Sequence, residues 1–258
     1  MENFYQTKQA RSLEEALKIC LSLRERGFWS FRGQRKGEWH VGLHNCDPTK
    51  LDDYRKQFFR RCMEFPPPDH IGEEQAWRWL FFAQHHRLKT QLLDWTKDPL
   101  VAIYFAVENI LSGGNDEADL GAIWAVKVAD KHFFPADEIE RKRPKSLSQW
   151  IMINPNAVIP RQVRQSSVFS FHPTKRAIFN LDQMKRRSDA EELVKIELCR
   201  GADGKNPSAA IRKQLGILNV HHASLFPGPD GVAQFVCHEW DTLQLFKSGG
   251  KGPERQVA

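Results

Sequence analysis

The stretch Gln84 to Ala106, QHHRLKTQLLDWTKDPLVAIYFA, constrains the fold of this chain more than any other. Apolar residues precede it (Trp77, Trp79, Leu80, Phe81, Phe82) and close it (Leu100, Val101, Ile103, Tyr104, Phe105). Between them stand Gln84, His85, His86, Thr90, Gln91, Asp94 and Thr96. Polar groups this close to core must find partners or open onto a pocket, because burying one unpaired costs about 1–3 kcal/mol. A second anchor lies upstream, Phe31-Arg32-Gly33-Gln34. The two stretches are expected to meet and form the site.

The chain can build a substantial core: 41% of its 258 residues are hydrophobic, with 8 Trp and 17 Phe. Such a composition belongs to a folded chain. The net charge of +6 is compatible with a nucleic acid or another phosphate-bearing partner. A diffuse surplus of this kind more often describes a solvated surface. The 5 Cys (20, 46, 62, 199 and 237) show no CxxC spacing, so neither a disulfide framework nor structural zinc is expected. Free thiols fit a reducing cytosol. The start, MENFYQTKQARSLEE, lacks the apolar core of a secretory leader, and no apolar run reaches the roughly 20 residues that span a bilayer. The expectation is a soluble, cytoplasmic protein with no membrane contact.

Ser12 followed by Glu15 is a capping box, and an apolar stripe with Gly27 as stop predicts a helix over 13–26. Residues 28–32 predict a strand, with Trp29 and Phe31 on one face and Ser30 and Arg32 on the other. Gly33 then permits a tight turn or a close ligand. A loop over 37–48 carries His40 and His44, and helical spacing predicts a helix over 50–63 with a basic outer face. A buried helix is expected over 72–86 and a polar loop over 87–96. Asp98-Pro99 then starts a helix over 99–111. A turn over 112–119 leads to a strand over 121–128. Polar sequence over 131–145 holds the basic run Arg141-Lys142-Arg143, without interleaved aromatics. Strands are expected over 163–172 and 193–199, flanking a charged excursion over 176–191. A helix over 206–216, a strand-like segment over 217–226, a turn over 227–231, a helix over 232–246 and a frayed tail over 249–258 complete the chain. Mixed elements without βαβ alternation argue for α+β, with a small mixed or largely antiparallel sheet flanked by helices. No linker divides the chain, so it reads as a single domain over 1–258.

FRGQ together with the QH…LLDWT block and the helix ending in Phe-Ala resembles the FRG domain family, named for its Phe-Arg-Gly. The family shows an FRGQ segment, then a QH-rich segment running into TRLLDWT, then a helix ending in FA. The strand around Arg161 to Phe171 and the LFPGPDGVA turn are also similar, so the likeness covers most of 28–233. This chain departs in the loop. Where the family carries an aromatic residue, Gly and then Pro, it has His86, Arg87 and Lys89, and Gln91 replaces a common Arg. Contacts made by that Arg are not carried over.

An Arg-Gly at an early strand end and a later Tyr-Phe-Ala also resemble pieces of ADP-ribosyltransferases. That resemblance implies an ADP-ribosyltransferase-like fold and NAD as cofactor, in the manner of a toxin or phage-defence effector. Arg32 would clamp phosphate or ribose with its fork of donors. Gln34, Gln84, Thr90 and Thr96 would complete the cofactor contacts. A carboxylate must stabilise the positive ribosyl centre. Asp94 and Glu197 are candidates, and Gln165 stands on the strand where the family places its Glu. His85 joins the catalytic set. A nuclease using His85, His86 and Asp94 as proton-transfer groups is a second expectation, with nucleic acid or a protein as partner. No HExxH-type spacing is present, so no metal is expected. A non-catalytic binding module, in which Asp94 and His85 brace the loop, is the third.

Overall fold

The computed structural model describes residues 5–43, 50–62, 64, 75–108, 120–147, 150–155, 160–173 and 190–238. Its centre is one mixed sheet of eight strands. In chain order these are β1 (Gln6–Ala10), β2 (Trp29–Gln34), β3 (Leu92–Thr96), β4 (Ala122–Val128), β5 (Phe133–Pro135), β6 (Ile151–Asn154), β7 (Ser167–Phe171) and β8 (Ala190–Leu198). Across the sheet they run β1-β8-β4-β2-β3-β7-β6-β5. The pairs β1/β8 and β5/β6 are parallel and the others antiparallel. The helices are α1 (Leu13–Arg24), α2 (Leu51–Cys62), α3 (Ala76–His85), α4 (Pro99–Val107), α5 (Ala136–Glu140), α6 (Pro160–Arg164), α7 (Ser208–Ile217), α8 (His222–Leu225) and α9 (Pro229–His238). No helix among the described residues is long and apolar enough to cross a membrane.

Alternation along the strands sorts the core into two faces. The registers Phe31↔Thr96, Phe31↔Ala125 and Ala125↔Val194 put these residues on one face. Helices α1 and α4 cover half of that face, packing Ala16, Cys20, Leu23, Val101 and Ile103 against Phe31, Ile123 and Ile196. Helix α3 covers the other half, setting Trp77, Leu80 and Phe81 against Leu92, Ile151, Phe169 and Phe171. The opposite face buries Leu93, Trp95, Trp124, Met152 and Val168. Each fully buried side chain of this size contributes about 1.5–3 kcal/mol. Phe81 of α3 and Phe105 of α4 both border a cleft over β3.

The class is α+β, as expected, but the sheet is larger than the sequence suggests. Strand β1 has no apolar alternation and is held by its pairing with β8, while β5 and β6 are too short to show a period. The helix caps at Ser12 and Asp98 form, although the Glu15 carboxylate accepts from Arg11 N at 2.8 Å and not from Ser12 N as the expected capping box requires. Ser12 Oγ accepts from Glu15 N at 3.1 Å, and Asp98 Oδ1 accepts from Leu100 N at 2.8 Å. Four readings are corrected. Residues 92–96 of the expected loop form β3, with Leu93 and Trp95 on one face and Leu92, Asp94 and Thr96 on the other. The alternation was hidden because both of its faces include buried apolar residues. The expected strand over 163–172 is α6, a turn and then β7, with Ser166 at φ 46° reversing the chain. The strand-like 217–226 is the end of α7 and then α8, whose N-cap is His221, accepting from Ser224 N through Nδ1 at 3.3 Å. The polar 131–145 contains β5 and α5. His44, Cys46, the turn over 112–119, residues 174–189 and the tail over 249–258 lie outside the described residues.

Gly33 is neither a turn nor a ligand approach. It sits inside β2, where a Cβ would overlap the carbonyl oxygen of Ala102 and the backbone nitrogen of Ala106. The missing side chain lets the backbone of α4 lie directly on the strand. A Cβ there can be accommodated only by moving the helix, and overpacking costs about 1–3 kcal/mol or more. Gly33→Ala is therefore expected to lower stability by at least about 2 kcal/mol, read as a reduced urea midpoint.

Candidate functional site

The site begins with a defect in the sheet. Strands β2 and β3 share one register pair, Phe31↔Thr96. By contrast, β2 pairs with β4 along its whole length and β3 pairs likewise with β7. Beyond Phe31 the two central strands part. The Arg32 guanidinium bridges the opening, with Nη1 donating to the backbone oxygen of Asp94 at 2.7 Å. A side chain thus supplies the donor that a neighbouring strand would otherwise give. The opening leads into a cleft of about 1300 Å³ lined by β3, α3, α4, α6, α8 and α9.

The Asp94 carboxylate faces this cleft and is held in place. Gln84 Nε2 donates to Asp94 Oδ2 at 2.9 Å, and Thr90 Oγ1 donates to Gln84 Oε1 at 2.5 Å. Thr90 Oγ1 in turn accepts from Leu92 N at 3.1 Å. The backbone of β3 therefore orients Thr90, Thr90 selects the face of the Gln84 amide, and that amide aims its donor at the carboxylate. Gln84 is in position because α3 ends beside it in a Schellman turn. Leu88 N donates to Ala83 O and Arg87 N to Gln84 O, each at 3.0 Å. Such a turn puts its second-last residue in left-handed conformation, and Arg87 has φ 64°. This is the place where the resembling family carries Gly, and the backbone geometry supplies the reason.

The cleft is polar and charged. Arg32, Arg87, Lys89 and Arg161 contribute cations, and Asp94, Glu108 and Asp230 contribute carboxylates. Burial lowers the pKa of Arg32, opposed by the nearby Asp94. Burial also lowers that of Arg161, with Asp94 and Glu108 raising it and Arg87 lowering it. Both guanidiniums thus lose hydration, which strengthens their pull on an arriving anion, while the nearby carboxylates oppose it. Arg161 lies 4.4 Å over the Phe226 ring, and Phe226 stacks on His222 at 4.1 Å with 14° between planes. The pKa of His85 is lowered by burial, then by His86 and Arg161, so its ring is neutral at pH 7. Behind the cleft, Trp95 Nε1 donates to Ser170 Oγ at 2.9 Å, and Ser170 Oγ meets His172 Nε2 at 2.7 Å. Burial, with repulsion from Arg32, pushes the His172 pKa down to about 3.

The structure brings Arg32, Gln84, His85, Thr90, Asp94 and Gln165 to one cleft. It turns Gln34 and Thr96 elsewhere. Gln34 accepts from Trp124 Nε1 at 2.8 Å and donates to His40 O at 3.1 Å. Thr96 Oγ1 donates to Gln165 O at 2.6 Å and accepts from Asp98 N at 2.9 Å, which ties the end of β3 to the start of α4. Gln165 is in the turn before β7, and its Nε2 donates to Leu225 O at 3.2 Å. Glu197 is outside the cleft wall, paired with Lys195 at 2.7 Å. Sequence reasoning missed Arg161, Gln162, His222 and Phe226. No local pattern marks them, since α6 and α8 are each about one turn long. Among the described residues no cluster of His, Cys, Asp or Glu has metal-binding geometry.

Residues 28–114 match the model of the FRG domain family. That segment holds β2, α2, α3, β3 and α4, and the rest of the sheet comes from outside it. Neither the curated proteins nor the solved structures give a match to the chain.

Two outcomes follow from this geometry. Arg87→Gly relieves a left-handed non-glycine residue and is expected to raise stability by up to about 1 kcal/mol in chemical denaturation. His172 binds a proton at about 6.5 when unfolded and at about 3 when folded. Its contribution is fully present above about pH 6.5 and is lost as pH falls toward 3, since the unfolded state then holds the extra proton. Urea melts are expected to weaken by roughly 1.4 kcal/mol per pH unit between pH 6 and 5 through this residue, and His172→Gln is expected to remove that slope.

Proposed function

Residues 28–114 of this chain are an FRG domain, and on that premise we propose that the cleft binds NAD and transfers its ADP-ribosyl group. One observation carries the reading: the Arg32 guanidinium and the Asp94 carboxylate, distant in sequence, line one cleft. Arg32 and Arg161 hold the pyrophosphate, where forked donors fit phosphate oxygens best. Asp94 faces the anomeric carbon of the nicotinamide ribose. The C1′–N bond breaks and its electron pair leaves with nicotinamide, cancelling the ring's positive charge. C1′ becomes electron-poor, and the fixed carboxylate stabilises it. An acceptor oxygen or nitrogen on a protein, a nucleic acid or water then bonds to C1′ and releases its proton to solvent. Gln84 and Thr90 act as positioning residues for Asp94, because both bond to that network and leave the chemistry to the carboxylate.

A second reading draws on His85. Its ring is neutral at pH 7 and sits among cations, as a general base in phosphodiester cleavage would. Incubation with labelled RNA and DNA, with and without EDTA, tests it directly.

The primary test is nicotinamide release from NAD by the full chain, with a thermal shift run in parallel. NAD at 100 times its dissociation constant is expected to add about 2.7 kcal/mol of stability. Asp94→Asn is expected to keep NAD binding and lower turnover by about 100-fold or more, the usual size of a lost electrostatic stabiliser. Thr90→Val is expected to lower kcat with little change in KM. The absence of a thermal shift at millimolar NAD would overturn the reading. A shift without turnover would leave a binding module.

A further inference from the structure

The cleft contains a second group of residues that phosphate binding leaves unexplained. Gln162, on α6, lines the cleft and is 7% exposed. Its Oε1 is buried and has no hydrogen-bond partner among the described residues. The next glutamine along, Gln165, differs: its amide donates to Leu225 O. A buried acceptor without a donor costs stability and is retained where a ligand supplies the donor. Lining the same cleft as Gln162, three flat groups lie against one another. The His222 ring stacks on Phe226 at 4.1 Å, and the Arg161 guanidinium lies 4.4 Å over the same ring. All three line the cleft. Arginine planes and aromatic rings are the surfaces on which nucleobases stack.

We propose that Gln162 and the His222–Phe226–Arg161 pile form a subsite for adenine. This rests on the nucleotide reading above and adds which base the cleft selects. The vacant Oε1 calls for an N–H donor, and the amide NH₂ beside it is itself a donor. That pair matches the N6 amine and N7 of adenine. Guanine and hypoxanthine present an oxygen at position 6, which would face Oε1 with two acceptors and no proton between them. Arg161 then has two duties, one face toward the base and its N–H groups toward the pyrophosphate.

The test is isothermal titration of the full chain with two matched pairs. These are NAD against nicotinamide hypoxanthine dinucleotide, and ADP against IDP. In each pair the ligands differ only in the 6-substituent of the base and the N1 proton that accompanies it. The adenine member is expected to bind about tenfold tighter, within the range a two-point amide contact to adenine supplies. Gln162→Leu is expected to bring both ratios near one. The variant removes an unpartnered acceptor, so its melting temperature is expected to equal or exceed that of the parent, which checks the fold. Equal affinity within both pairs for the unaltered chain would overturn the subsite while leaving NAD binding standing. Preference for ADP over IDP without NAD binding would support the subsite and sink the transferase reading. Binding of none of the four would overturn both.

Discussion

The structure depends on the parting of β2 and β3. A continuous sheet would pair these strands along their length and seal its own centre. Here a single register pair holds them together, and the Asp94 carbonyl would be left without a donor. The Arg32 guanidinium takes up that carbonyl. The arginine thus stands in for a strand donor at the point where the sheet opens. It holds a desolvated cation at the mouth of the opening.

The Phe-Arg-Gly signature divides three tasks among three adjacent residues. Phe31 is fully buried under α1 and α4. Arg32 points to the other face and bridges the split. Gly33 gives up its side chain so that α4 can rest on the strand. Two periodicities therefore act together: strand alternation places Phe31 and Arg32 on opposite sides, and the contact with α4 dictates a residue without Cβ. The same helix begins at Asp98, which is tied to β3 through Thr96. The position of Asp94 and the position of α4 are thus set by one short run of hydrogen bonds.

Charge in the cleft is arranged in alternation. Asp94 acts on both Arg32 and Arg161, and Glu108 acts on Arg161 as well. Such interleaving limits the self-repulsion of four basic side chains in a partly dehydrated space. It also leaves the carboxylate fixed by an amide, without a direct guanidinium fork. Gln84 holds Asp94 Oδ2 through a neutral donor, which orients the carboxylate while preserving its charge for the ligand.

Several features were open to reading from residues alone. The caps at Ser12 and Asp98, the aromatic face of β2 and the buried character of α3 all follow from local chemistry and spacing, whereas the meeting of Arg32 with Asp94 was an expectation that only the fold could decide. Strand β3 was hidden, because Leu92 sets an apolar residue on the same face as Asp94 and Thr96 and blurs the period. Gln34 and Thr96 have the composition of ligand contacts, yet their atoms are used by Trp124, His40, Gln165 and Asp98. Residue type indicates what a side chain is able to bond, and only the packed neighbours decide what it does bond.

The amino-acid order by itself determined where helices start, which strand positions turn inward and which chemical groups the central stretch would bring to its surface. Those properties rest on periods of two or 3.6 residues and on caps within one turn, all local. Tertiary structure alone decided that β2 and β3 would separate, that Arg161, Gln162 and Phe226 would complete the cleft, and that Glu197 would remain outside it. These outcomes depend on strand register and on contacts across 60 to 190 residues, and no local period encodes which distant partner a strand edge will meet.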